Sequence, residues 1–175
     1  MAERIYFRNN GEVDALTLTM APKIFLANLN REILRAQREM RDVSLVWFLL
    51  RRRIAPPPIV IQEPWQDFAP PNHSVEPHVA IIEETLIEIA HHLNLLLRSD
   101  EFFSRMYENG FLCFISGSYE AATASKSRIF FDLTRRFSGR IETLGMFLDS
   151  DILVRMKNES SSELILRADA AIFRE

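Results

Sequence analysis

The residues best suited to chemistry lie together in Glu84, Glu88, His91 and His92. Glu88 and His91 stand three positions apart, a spacing that puts a carboxylate and an imidazole on one face of a helix, as in metal-holding helix bundles. The pattern occurs once, whereas a two-metal centre needs a second copy and further carboxylates. No metal and no cofactor is therefore expected, and the four read as surface groups of an acidic helix. His73 and His78 fall in or beside a proline-rich stretch, with nothing to hold them near His91. Cys113, the only cysteine, sits in the apolar run 111–115, where a thiolate is disfavoured. No G-x-S-x-G surrounds any serine. Ser116-Gly117-Ser118 after that run offers a strand–turn–helix geometry whose backbone N–H groups could meet an anion. Lys126 lies too far on to complete a phosphate loop, so capping of the next helix is the preferred reading. These residues point away from an enzyme, and a small hydrolase or metal-dependent enzyme is a second alternative only.

Arginine supplies the other chemistry. There are 18 arginines and 3 lysines, a balance that favours planar, bidentate contact with carboxylate or phosphate. Arg31, Arg35 and Arg38 precede the triplet Arg51, Arg52 and Arg53, and Arg135, Arg136 and Arg140 form a second cluster. Two such patches could grip a phosphate backbone, which makes nucleic-acid binding the first alternative. Glu32, Glu39 and Asp42 interleave with the first set, and the net charge is −3. Both clusters also suit the negative ends of helix dipoles.

The elements that would carry these groups follow from periodicity. Leu26, Leu29, Ile33, Ala36, Met40, Val43, Trp47 and Leu50 recur at alternating spacings of three and four, which predicts one long amphipathic helix from Pro22 to the arginine triplet. Val79, Ile82, Leu86, Ile89, Leu93 and Leu96 repeat the spacing in a second helix, rich in glutamate early on. The two seams predict a helix pair, with those glutamates facing the arginines of the first. Between them, six of the eight prolines fall within sixteen residues, an extended connector at 55–77. Its Ile59-Val60-Ile61 could form an edge strand, and Trp65 and Phe68 could anchor it to the fold or to a partner.

Asn10-Gly11 between apolar-alternating flanks predicts an N-terminal β-hairpin. Ser99 with Asp100 and Glu101 reads as the N-cap of a short helix carrying Phe102, Phe103, Met106 and Tyr107, stopped by Asn109-Gly110. A strand at 111–115 and a helix from about Tyr119 to Phe137 follow. Residues 141–148, 152–156 and 163–173 read as a terminal antiparallel β-meander. The expected fold class is α+β, with 175 residues making one domain.

Charge is uneven. Residues 1–55 carry ten Lys/Arg against six Asp/Glu, residues 56–110 two against nine, and the remainder balances. No apolar stretch approaches the roughly 20 residues of a membrane span. With one cysteine and no apolar leader, an intracellular, cytoplasmic location is expected, the nucleus included. The two seams and the proline loop make a non-catalytic, self-associating assembly or adaptor protein the leading expectation, with Leu26, Leu29, Ile33, Met40, Val43, Trp47, Leu50, Trp65 and Phe68 as its partner-binding residues. Its partners would be a second copy or another protein, with nucleic acid as the other candidate.

Overall fold

The computed structural model describes residues 7–53 and 77–174. Helix α1 (Pro22–Glu39) leads into strand β1 (Val43–Arg52), followed by α2 (Pro77–Leu96), β2 (Phe102–Tyr107), β3 (Gly110–Ser116), α3 (Tyr119–Thr143), β4 (Met146–Val154) and α4 (Ser161–Ile172). The strands form one antiparallel sheet in the order β2-β3-β1-β4. The fold is α+β, as expected.

The central strand explains both layers. All eight residues from Val43 to Leu50 are buried, so β1 has no solvent face. Alternate side chains leave it in opposite directions. Val46, Phe48 and Leu50 join α2 and α3 on one side, while Val43, Leu45, Trp47 and Leu49 join α1 and α4 on the other. β3 divides likewise: Phe111, Cys113 and Ile115 face the first layer, Leu112 and Phe114 the second. A strand covered on both faces is apolar throughout, which is why this run also fits a buried helix.

The expected single helix from Pro22 to Arg53 is therefore corrected. α1 stops where Met40 turns left-handed (φ 51°, ψ 40°), and the amides of Met40 and Arg41 close back on the Ala36 carbonyl. Leu29 and Ile33 are buried in the chain's own core, Leu26 is half-exposed and Met40 almost wholly exposed. Val43, Trp47 and Leu50 belong to the sheet. The two seams do not meet, because the sheet lies between α1 and α2. Glu88 accordingly pairs with Arg140 of α3, at 2.9 Å, instead of an α1 arginine. Trp65, Phe68 and the rest of the proline connector lie outside the described residues.

Three further expectations change. The segment after Ser99 is strand β2, and Asn109-Gly110 closes a two-residue hairpin, with Tyr107 opposite Gly110. Asn-Gly favours such turns because both positions need positive or unhindered φ. The expected meander contains a single strand: α3 runs on through Gly139, Gly145 turns the chain at φ 64°, and β4 follows. Residues 163–173 are mostly helical, started by a capping box in which Ser160 and Glu163 satisfy each other's backbone N–H groups. The N-terminal hairpin is reduced to isolated bridges, Asn9 to Asp14 and Val13 to Met20.

One knot ties α4 to the end of β4. Arg167 donates to both carboxylate oxygens of Glu159 at 2.7 Å and to the Val154 carbonyl at 2.6 Å, while the Met156 amide donates to Glu159 Oε2 at 2.7 Å. Burial pushes the Glu159 carboxyl up, but these bonds outweigh it and hold it below the ordinary carboxylate value of 4.5. A lowered folded value contributes stability that is full above about pH 4.5 and lost as pH falls through the folded value. Thermal melts across pH 3–6 should show this loss, with a shallower acid limb in Glu159→Gln. Close packing at the hairpin is tested separately. A Cβ on Gly110 would lie 2.3 Å from the Phe48 carbonyl oxygen, so Gly110→Ala should cost about 2–3 kcal/mol in urea unfolding. Gly139, with nothing within 4 Å, should instead gain roughly 0.5–1 kcal/mol as alanine.

Candidate ligand-binding groove

A groove of about 520 Å³ opens between the loop before α1, the second half of α2 and the turn into β2. Its walls carry Thr17, Thr19, His91, Asn94, Arg98 and Glu101 among apolar Leu18, Ile87 and Phe103.

The loop wall is built around Asp14. Its carboxylate accepts from the Thr17 amide at 2.8 Å and the Thr17 hydroxyl at 2.7 Å, and its own amide bonds the Thr19 carbonyl at 2.8 Å. Leu18 is thereby held at φ 57°, with 74 % of its surface exposed beside the groove. Asp14 and Arg105 are both fully buried and form an ion pair at 3.3 Å. Arg105 also donates to the Glu108 carbonyl in the β2–β3 turn at 2.6 Å and lies over the Phe7 ring. Ser104 donates to the Met20 carbonyl at 2.7 Å. Residues some 90 positions apart are thus fixed to one another, and the loop can act as a wall.

The opposite wall is a small closed turn. The Arg98 amide donates to Glu101 Oε2 at 2.9 Å, and the Glu101 amide returns to the Arg98 carbonyl at 3.1 Å. Glu101 is only 7 % exposed, and its Oε1 is buried without a hydrogen-bond partner. A buried carboxylate oxygen left unmatched costs on the order of 1–3 kcal/mol, which a ligand donor could recover. Burial, followed by the charge of Glu101, pushes the Cys113 thiol far up, so this cysteine is held as a thiol. His92, next to His91, turns toward α3 and meets the Phe137 ring edge-on at 5.6 Å. Burial and then the charge of Arg136 lower its pKa.

The expected site residues fall elsewhere. Glu88 is engaged with Arg140, so Glu88 and His91 do not converge, and the described residues group no three His, Cys, Asp or Glu side chains able to hold a metal ion. The arginine clusters are separated by the sheet. Arg31, Arg35 and Arg38 lie on α1, with Arg35 bonded to Glu39 at 3.1 Å. Arg135, Arg136 and Arg140 lie on α3 in the other layer. Arg51 binds Asp149 at 2.6 Å and the Ile172 carbonyl at 2.5 Å, which ties β1 to β4 and α4. Arg53 lies 3.9 Å from Glu142, and Arg52 is exposed at the end of β1. Sequence reasoning missed Asp14, Arg98 and Arg105, and took Glu101 for part of a helix cap. The available signal was Arg105, a charge inside an otherwise apolar strand.

No family model matches this chain, and no curated protein does. Solved structures do. The GGDEF domain of DgcB from Caulobacter crescentus, in complex with c-di-GMP, superposes with a TM-score of 0.65 at 15 % identity over 96 % of this chain and 91 % of that one. This chain has the fold of a GGDEF domain. The diguanylate cyclase SiaD from Pseudomonas aeruginosa, solved with its activator SiaC, gives 0.64 at 19 % identity over 91 % of this chain and 56 % of that one. A DGC protein from Thermotoga maritima gives 0.54 at 19 % identity, covering 89 % and 97 %. The likeness overturns the expected non-catalytic assembly or adaptor protein, because the structures sharing this GGDEF fold include a cyclase. It likewise fails to match the alternatives of nucleic-acid binding and a small hydrolase or metal-dependent enzyme. Among the described residues, no helix of this GGDEF-like fold is long and apolar enough to cross a membrane.

The buried pair behind the groove gives a direct test. Asp14→Ala strips Arg105 of its carboxylate and should cost about 3–5 kcal/mol in urea unfolding, whereas replacing both with apolar residues of similar volume should cost far less. Equal losses from the single and double changes would contradict this role.

Proposed function

We propose that this chain binds a guanine-containing cyclic dinucleotide of the c-di-GMP type in the groove between the 14–20 loop, α2 and β2. The observation that carries the reading is Glu101, a nearly buried carboxylate with one unpartnered oxygen at the wall of a 520 Å³ groove. Support comes from the fold shared with the C. crescentus GGDEF domain solved with c-di-GMP.

The chemistry is complementary. Guanine presents two adjacent N–H donors on its Watson–Crick edge, which suit a carboxylate acceptor. A guanidinium such as that of Arg98, exposed at the rim, suits a phosphodiester oxygen or the O6/N7 edge of guanine. Leu18 and Ile87 offer apolar surface to the flat faces of the base. The groove volume falls within the usual range for small-molecule sites. The run that names those domains, Gly-Gly-Asp-Glu-Phe, does not occur in this chain, so the reading rests on fold and groove and concerns recognition.

Calorimetric titration of the full chain with c-di-GMP should show saturable binding. Glu101→Gln and Arg98→Ala should each weaken it by about tenfold or more, with melting temperatures close to wild type. Absence of binding, or binding indifferent to both changes, would overturn the proposal.

A further inference from the structure

A second cavity, of about 620 Å³, lies on the β1–β4 side of the sheet, away from the β2 edge that carries the groove. It is walled by the end of α1, the start of β1 and the segment leaving β4. Its composition differs from the groove. Two methionines frame it: Met40 is 94 % exposed and Met156 59 %. Between them lie Arg41, Arg155 and Lys157, with Asp42 as the one carboxylate of the lining.

Met40 does nothing for the fold that a smaller residue would not do better. Its φ of 51° is the left-handed conformation that favours glycine at a helix end, and its side chain packs against almost nothing. Strain of this kind at an exposed residue points to a role outside folding. The charges point the same way. The negative end of α1 accounts for one cation, Arg41, but that residue is already matched to Glu39 at 2.6 Å and to the Ser116 hydroxyl at 2.7 Å. Arg155 donates through Nε to the Glu159 carbonyl and leaves Nη2 without a hydrogen-bond partner. Lys157 is exposed and makes no ion pair among the described residues.

We propose that this cavity docks an acidic peptide segment of a partner protein, with a carboxylate at Lys157 and Arg155 and a neighbouring apolar side chain between Met40 and Met156. Flexible methionines give an adaptable apolar contact, and the cations supply orientation and on-rate. A bare anion would leave both methionines in water. A long polyanion would meet Asp42 and Glu39 at the same rim. The inference does not depend on nucleotide binding in the groove.

The test is selection of phage-displayed random peptides on the full chain, then fluorescence polarisation with the best labelled sequence. Enriched peptides should combine Asp or Glu with Leu or Phe. Lys157→Glu should weaken binding about tenfold at unchanged melting temperature. Met40→Gly should weaken it several-fold while raising the melting temperature, a combination that a purely structural role for Met40 cannot produce. No enrichment, enrichment of basic or wholly apolar sequences, or binding indifferent to both substitutions would overturn the proposal. So would displacement of the peptide by inorganic phosphate, which would mark a small-anion site, or by c-di-GMP, which would place the peptide in the groove.

Discussion

The ion pair between Asp14 and Arg105 is the constraint on which the candidate site depends. Both side chains are removed from water, and desolvating two charges is repaid only when each finds further hydrogen bonds. Asp14 finds the amide and hydroxyl of Thr17, and Arg105 finds the carbonyl of Glu108. The same bonds that satisfy the charges shape the loop before α1, seat it on β2 and hold the β2–β3 turn. A loop of Thr17, Leu18 and Thr19 without such an anchor would have no fixed face to offer a ligand.

Across the groove the situation is reversed. Glu101 is buried with half its hydrogen-bonding capacity met, by a turn that closes on itself between Arg98 and Glu101. One wall is thus completely satisfied and rigid, and the other retains an acceptor in a setting where water is scarce. A donor-rich flat ligand relieves that imbalance, and the apolar rim formed by Leu18 and Ile87 increases its burial.

How much of this was legible depends on the range of the interactions. α2, β3 and most of α3 could be read from the sequence, because the apolar spacing there fits one period only. The first seam misled because Leu26 to Ala36 and Val43 to Leu50 happen to continue at the same spacing, while the real break at Met40 uses a left-handed methionine that no sequence rule marks as a stop. Residues 43–50 are apolar on both faces and carry no period to separate strand from helix. β2 was hidden by the adjacent pair Phe102-Phe103, although Asn109-Gly110 is a strong hairpin signal. α4 was readable from Ser160 and Glu163 and was missed for the β-rich look of its apolar residues. The groove was not legible: Asp14 and Arg105 are 91 positions apart, and the character of Glu101 comes from burial under elements that local pattern cannot bring together.

Hydrogen–deuterium exchange of the full chain with and without c-di-GMP tests the central claim most directly. The account predicts slowed exchange confined to residues 14–20 and 87–103, the two walls of the groove. Unchanged exchange throughout, or protection at the β1–β4 side with these two segments unaffected, would contradict it.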